Sequence, residues 1–294
     1  MIIKIEIEDL EKLNKLLFGR LSINCGGAIL NNRYLGAVII APFILFLFIG
    51  GIYLKYLIMI LSLLGMYEFY KTTKENKIKP ISIIGYLICI VYYIFINYYM
   101  DYKFIFLFLI IAVFITICIP VLDLKYNFID AAVTVFGFLY VGVFFSYIVI
   151  VNQSDYGKYL VWLIFISSWV CDTAAYYSGR IFGKNKLSPK LSPKKTIEGS
   201  IGGIIGSTVI CGLFGIFCAY RGVPIHLYNY IAIGILCGIF GQFGDLFASS
   251  IKRYAGVKDY SHLIPGHGGI LDRFDSVLFS GFIVYCYLIF LNLI

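Results

Sequence analysis

The chain has 294 residues, of which 61% are hydrophobic and 14% charged, and its formal net charge is +8. A water-soluble domain of this length cannot hide so much apolar surface behind a wetted exterior, which excludes that class. The positive charge raises a nucleic-acid surface as the general alternative. It lies beside apolar runs, however, and so fits anionic headgroups or anionic substrates better, with no nucleic-acid partner.

Residues 1–33 are mixed in charge, with acids early (Glu6, Glu8, Asp9, Glu11) and no short apolar core, so they do not resemble a cleavable signal peptide. Ile3, Ile7, Leu10, Leu13, Leu17 and Leu21 recur at helical spacing, which predicts a cytoplasmic or interfacial helix that anchors the chain or contacts a second copy. The remainder reads as an all-α, polytopic membrane protein: an N-terminal transmembrane scaffold over 34–155 and a C-terminal transmembrane catalytic region over 156–294. Apolar runs of membrane-crossing length predict nine spans, at 36–54, 56–70, 81–99, 104–122, 128–151, 159–179, 200–219, 228–250 and 276–293. Eight cysteines are scattered singly. Cys89, Cys118, Cys211, Cys218, Cys237 and Cys286 lie within apolar runs without metal-ligand spacing, and read as small apolar helix residues.

Loop charge sets an orientation. With the N-terminus inside, 20 of the 24 lysines and arginines fall on the cytoplasmic side, leaving Lys55, Lys103, Lys158 and Arg221 outside. The multi-pass chain is therefore expected in the cell (plasma or inner) membrane, with its N-terminus and active site cytoplasmic.

Charge inside the spans is confined largely to the second half. In the first 150 residues only Glu68, near a span end, and Asp130, near a start, interrupt what otherwise reads as scaffold. Asp172 lies within the sixth span and Asp245 near the inner end of the eighth. A carboxylate there costs about 3 kcal/mol and calls for a cation or a water-filled cavity. Helical spacing puts Asp172, Tyr176 and Gly179 on one face, and Asp245, Ser249 and Lys252 on another. If 272–275 is helical, Asp272 and Asp275 share a face one turn apart. Several carboxylates brought together form an oxygen-ligand site suited to Mg²⁺, and Asp172, Asp245, Asp272 and Asp275 are the predicted ligands.

Two loops flank these helix ends. Arg180 opens the first, which runs to Lys194, Lys195 and Thr196 and meets a glycine-spaced helix start, a natural phosphate-binding arrangement. The second spans 249–275 and holds Lys252, Arg253, Lys258, the run Pro265-Gly266-His267-Gly268-Gly269, and Arg273. Gly268 and Gly269 allow close backbone approach to a ligand. It is not a Walker loop. His267 is open to three readings: proton donor, hydrogen-bond donor to phosphate, or loop organiser.

At these residues the sequence resembles the phosphatidate cytidylyltransferase (CDP-diacylglycerol synthase) family. Ser249-x-Ile251-Lys252-Arg253, Lys258-Asp259-x-Ser261, Ile264-Pro265-Gly266-His267-Gly268-Gly269-Ile270 and Asp272-Arg273-Phe274-Asp275 carry the likeness. Upstream, Asp172-Thr173-x-Ala175-Tyr176-x-x-Gly179-Arg180 and Ser192-Pro193-Lys194-Lys195-Thr196-x-Glu198-Gly199 look similar too. The clear likeness covers about 160–280. It implies conversion of CTP and phosphatidic acid to CDP-diacylglycerol and pyrophosphate, Mg²⁺ dependence with a second cation, monovalent or divalent, and a homodimer. Asp245 and Asp272 are then the leading metal ligands, with Asp275 and Asp172 joining them. Lys194, Lys195, Lys252, Arg253 and Arg273 would neutralise the phosphates. Competing readings are another CTP-dependent lipid enzyme (a CDP-archaeol synthase or polyprenol kinase) and, in a different class, an anion transporter.

Overall fold

A computed structural model describes residues 43–96, 102–263 and 268–294. The segment 1–33, His267 and the three residues before it lie outside them. Residues 43–49 are helical. After them come α1 (Gly51–Lys74), α2 (Ser82–Phe95), α3 (Tyr102–Leu122) and α4 (Phe128–Gly137), then a π-helical turn (Phe138–Val143) and α5 (Phe144–Gln153). The second half holds α6 (Gly157–Phe182), a hairpin of β1 (Lys186–Ser188) and β2 (Ser192–Thr196), then α7 (Ile197–Tyr220), α8 (Leu227–Tyr254) and α9 (Leu271–Phe290).

Seven helices among the described residues are long and apolar enough to cross a membrane, with α4, the π turn and α5 forming one of them. The chain is thus a helical, multi-pass membrane protein. α2, with 14 residues, is a shorter apolar helix. The count of nine predicted spans therefore does not carry over unchanged. The boundary between the first two also moves, because Gly50 and Gly51 both adopt positive φ (66° and 58°) and break the helix before position 52. The Gly51 amide then donates to Asn152 Oδ1 at 2.9 Å, tying the start of α1 to the end of α5. Positive φ favours glycine, which carries no Cβ to clash there. α1 accordingly runs through 51–74 rather than 56–70.

α6, α7, α8 and α9 pack in sequence, α6 against α7 most extensively. Small residues permit the close approach: a Cβ on Gly203 would lie 3.0 Å from the Cys171 carbonyl, and one on Gly238 2.9 Å from Ile204 Cα. Such seams suit a bilayer, where packing and interhelical hydrogen bonds replace the hydrophobic drive between helices. Buried aromatics join the two halves of the chain, with Phe43 and Phe145 each 5.3 Å from Phe274.

The hydrogen bonds also define the two ends of the bundle. At one end Asn76 reaches the Tyr254 carbonyl (2.8 Å), Arg253 reaches Leu191, and Asp130 caps α4 while accepting the Lys79 amide. At the other, Lys55 binds the Ile96 carbonyl (2.8 Å) and Tyr287 binds Asn229 (3.0 Å). Fifteen of the nineteen lysines and arginines in the described residues sit at the first end, the same partition that the loops predict.

Candidate active site

The charged end of the bundle contains a cavity of about 340 Å³ between α6, β2, α7 and α8. Asp172, Tyr176 and Gly179 contribute one wall from α6, as their helical spacing predicts, with Arg180 beside them, and Asp245 and Gln242 another from α8. Lys194, Lys195 and Thr196 line the cavity from β2 and its junction with α7.

The hairpin is built to present those residues. Thr196 caps α7, its hydroxyl accepting the Gly199 amide at 3.1 Å. Glu198, in the first turn of α7, accepts the Asn185 side-chain amide at 2.9 Å and the backbone amides of Lys184 and Asn185. Both ends of the hairpin are thereby tied to the helix start. Lys195 forms an ion pair with Asp245, whose second oxygen lies 3.5 Å from the Ser249 hydroxyl. Asp172 accepts the Ser276 hydroxyl at 3.3 Å. Asp275 is buried in α9, with its carboxylate accepting the Ser276 amide at 2.8 Å. A Cβ on Gly244 would fall 2.5 Å from the Asp275 carbonyl, so the glycine brings α8 and α9 together beside Asp245.

Lys252 and Asp272 form a separate, buried pair at 2.7 Å. Asp272 Oδ2 also accepts the backbone amides of Tyr260 (2.9 Å) and Gly269 (3.0 Å). Lys252 lies 5.4 Å from the centre of the Tyr260 ring, and burial pushes the Tyr260 hydroxyl above its usual pKa, keeping it a neutral donor to the Ala248 carbonyl. Asp272 and Asp275 are helical neighbours in α9, but they face different surroundings: Asp272 the loop and Lys252, Asp275 the buried interior of the bundle.

The other predicted residues divide. Arg253 donates to the carbonyls of Leu191 (3.3 Å) and Val257 (3.1 Å), linking the hairpin tip to the end of α8. Lys258 and Arg273 are exposed. Gly268 has φ of 84°, and Gly269 packs against a carboxylate that sequence reasoning left in the scaffold. That carboxylate is Glu68, fully buried on α1 and bonded to Ser261, Ile270 and Leu271. The only sequence signal for it is a charge inside an otherwise apolar span. Gln242, which donates to the Ser200 carbonyl at 3.0 Å, is a second cavity residue without a motif of its own.

Among the described residues no three His, Cys, Asp or Glu side chains gather as a metal centre. Two carboxylates lining one cavity, Asp172 and Asp245, are still a hard-oxygen donor set. Mg²⁺ is commonly held by one or two carboxylates together with substrate phosphates, so the residues present fit that ion.

Over 155 residues the chain is 36% identical to a phosphatidate cytidylyltransferase of Staphylococcus saprophyticus and to one of Staphylococcus haemolyticus. It is 35% identical over 165 residues to one of Staphylococcus aureus. In each case the alignment covers 53% of this chain and 58% of the relative, so the chain matches somewhat over half the length of those proteins. The cytidylyltransferase family pattern matches residues 31–291, from before the first described helix to the end of α9. The chain belongs to the cytidylyltransferase family.

Proposed function

We propose that the protein is a phosphatidate cytidylyltransferase, joining CTP and phosphatidic acid into CDP-diacylglycerol and releasing pyrophosphate. The observation that carries this reading is the cavity itself: carboxylates facing lysines at the charged end of a membrane bundle. Its volume, about 340 Å³, lies in the range of small-molecule sites. Lipid substrate in the bilayer and nucleotide from water can meet only at such a boundary. The charge partition supports a boundary on the cytoplasmic face of the cell membrane.

The reacting oxygen belongs to the lipid phosphate, already ionised near neutral pH, so the step needs no strong base. That oxygen forms a bond to the α-phosphorus of CTP, while the bond from the α-phosphorus to the oxygen bridging to the β-phosphate breaks. The electron pair leaves with pyrophosphate. Two anions must be brought together and the leaving charge stabilised, so positioning and electrostatics dominate. Lys194, Lys195 and Arg180 line the cavity and supply positive charge to the triphosphate. Thr196 and the start of α7 offer donors to a phosphate oxygen.

Asp172 and Asp245 would hold Mg²⁺ together with phosphate oxygens, and the ion would neutralise the triphosphate. In this reading Lys195 exchanges its pairing with Asp245 for the nucleotide. Asp272, whose oxygens already receive three donors, keeps Lys252 in place beside Asp275. A second cation and a homodimer remain part of the proposal through the family likeness.

The test is purified protein in detergent with CTP labelled at the α-phosphate and phosphatidic acid. Label is expected in a lipid product, with pyrophosphate released in a Mg²⁺-dependent manner. Release of CDP, or the absence of labelled lipid, would overturn the reading. Asp245→Asn is expected to lower kcat at least about a hundredfold, as loss of one electrostatic contributor does in comparable sites.

A further inference from the structure

Glu68 is buried to 0% exposure on α1, about two hundred residues before the loop it touches. Its Oε1 accepts the Ser261 hydroxyl (2.5 Å) and the Ile270 amide (2.9 Å), and its Oε2 accepts the Leu271 amide (2.9 Å). The first amides of a helix have no partner within it, and an anion there also meets the positive end of the helix dipole. Glu68 is therefore a cap on α9 supplied by a distant helix, and it grips Ser261 on the other side of the same loop.

The contact is also sterically matched. A Cβ on Gly269 would lie 2.7 Å from both Glu68 oxygens, so residue 269 must be bare for the carboxylate to sit where it does. One residue beyond this grip stands Asp272, which holds the Gly269 amide and Lys252. The bonds thus run in series, from Glu68 to the loop backbone, from that backbone to Asp272, and from Asp272 to Lys252.

We propose that Glu68 is a positioning residue for Ser261 and for the stretch from Gly269 to Asp272, fixing the start of α9 and, through it, the Asp272–Lys252 pair. The part of the proposal that concerns turnover rests on the cytidylyltransferase reading above; the part that concerns the loop does not. Neither Gln nor Ala replaces the carboxylate: Gln turns an N–H donor toward one of two amide donors, and Ala leaves both unpaired.

The experiment is hydrogen exchange by mass spectrometry on the full chain in detergent, with kinetics on the same preparations. Wild type, Glu68→Gln, Ser261→Ala and, as a control on the same helix end, Glu75→Gln are compared. In wild type the Ile270 and Leu271 amides are expected to be protected although they open a helix. Glu68→Gln should speed exchange in 268–275 at least about tenfold, the other spans keeping their rates. It should also lower kcat per folded molecule about ten- to a hundredfold, the range seen when the support of a site residue is lost, with the KM for CTP within about twofold. Ser261→Ala, missing one bond of three, should give a smaller change in the same peptides, and keeps the test decisive if Glu68→Gln does not fold. Unprotected wild-type amides, or unchanged exchange in both variants, would overturn the proposal. So would an unchanged kcat in an active Glu68→Gln enzyme. A wild type that transfers no cytidylyl group but shows the exchange pattern would remove the functional reading and leave the cap standing.

Discussion

Lys195 and Gly269 carry the most specific expectations at the residue scale. Lys195 meets Asp245 in the cavity, and its charge is the one placed to pass from that carboxylate to a triphosphate. Lys195→Ala is expected to lower kcat/KM for CTP about a hundredfold in steady-state assays with the fold intact, and Lys195→Arg to recover part of the loss. Gly269→Ala pushes a methyl group against Glu68 and should destabilise the protein by about 1–3 kcal/mol, read from thermal unfolding in detergent. Because the clash needs both partners, Glu68→Ala and Gly269→Ala together should cost less than the sum of the two alone, by more than about 0.5 kcal/mol. Additive costs would mean that the two do not share one contact. Lys194 and Lys195 were legible in the sequence because they precede a glycine-spaced helix start, and Asp172 and Asp245 because charge is rare and expensive inside a span. Glu68 carried the same signal. What it touches depends on a pairing two hundred positions away, which no local pattern encodes.

Elements show how much of the site is local construction. The hairpin between α6 and α7 is held by Thr196, Glu198 and Asn185 within fourteen residues, and by Arg253 from the end of α8. Arg253→Ala is expected to raise the rate of proteolysis at 187–191 severalfold without changing helix content. Thr196→Ala removes a cap and should cost about 1 kcal/mol. Asp130 closes a capping box with Asn127 at the start of α4 and accepts the Lys79 amide at 2.6 Å. Asp130→Ala should lower stability by about 1–2 kcal/mol and leave turnover per folded molecule unchanged, in keeping with a scaffold role. The start of α9 was harder to read: the predicted span began at 276, but the helix begins at Leu271. Its first turn is polar, and the groups that satisfy its amides come from α1 and from Asp272.

At the scale of the whole molecule the bundle separates charge by end, and that separation gives the proposed orientation its test. In sealed right-side-out vesicles, a cysteine replacing Lys190 should react with a membrane-impermeant maleimide only after permeabilisation, and one replacing Arg221 should react directly. Reversed labelling would invert the orientation. The division into an N-terminal scaffold and a C-terminal catalytic half describes the charge distribution but not the contacts. Glu68, Asn76 and Phe43 all reach across it to the loop, the end of α8 and α9.

The sequence by itself determined that the chain crosses the membrane several times, which loops share a side, and which carboxylates and lysines are candidates for the proposed chemistry. Hydropathy, charge and motif spacing are local properties, and each span satisfies its backbone within itself. Only the tertiary structure decided how the loop from Ser249 to Asp275 divides its work. Asp275 is buried within the bundle on the Ser276 amide, whereas Asp272 is engaged by Lys252 and two backbone amides. Adjacent turns of one helix face different neighbours, and those neighbours come from helices whose order in space is set by close packing at glycines.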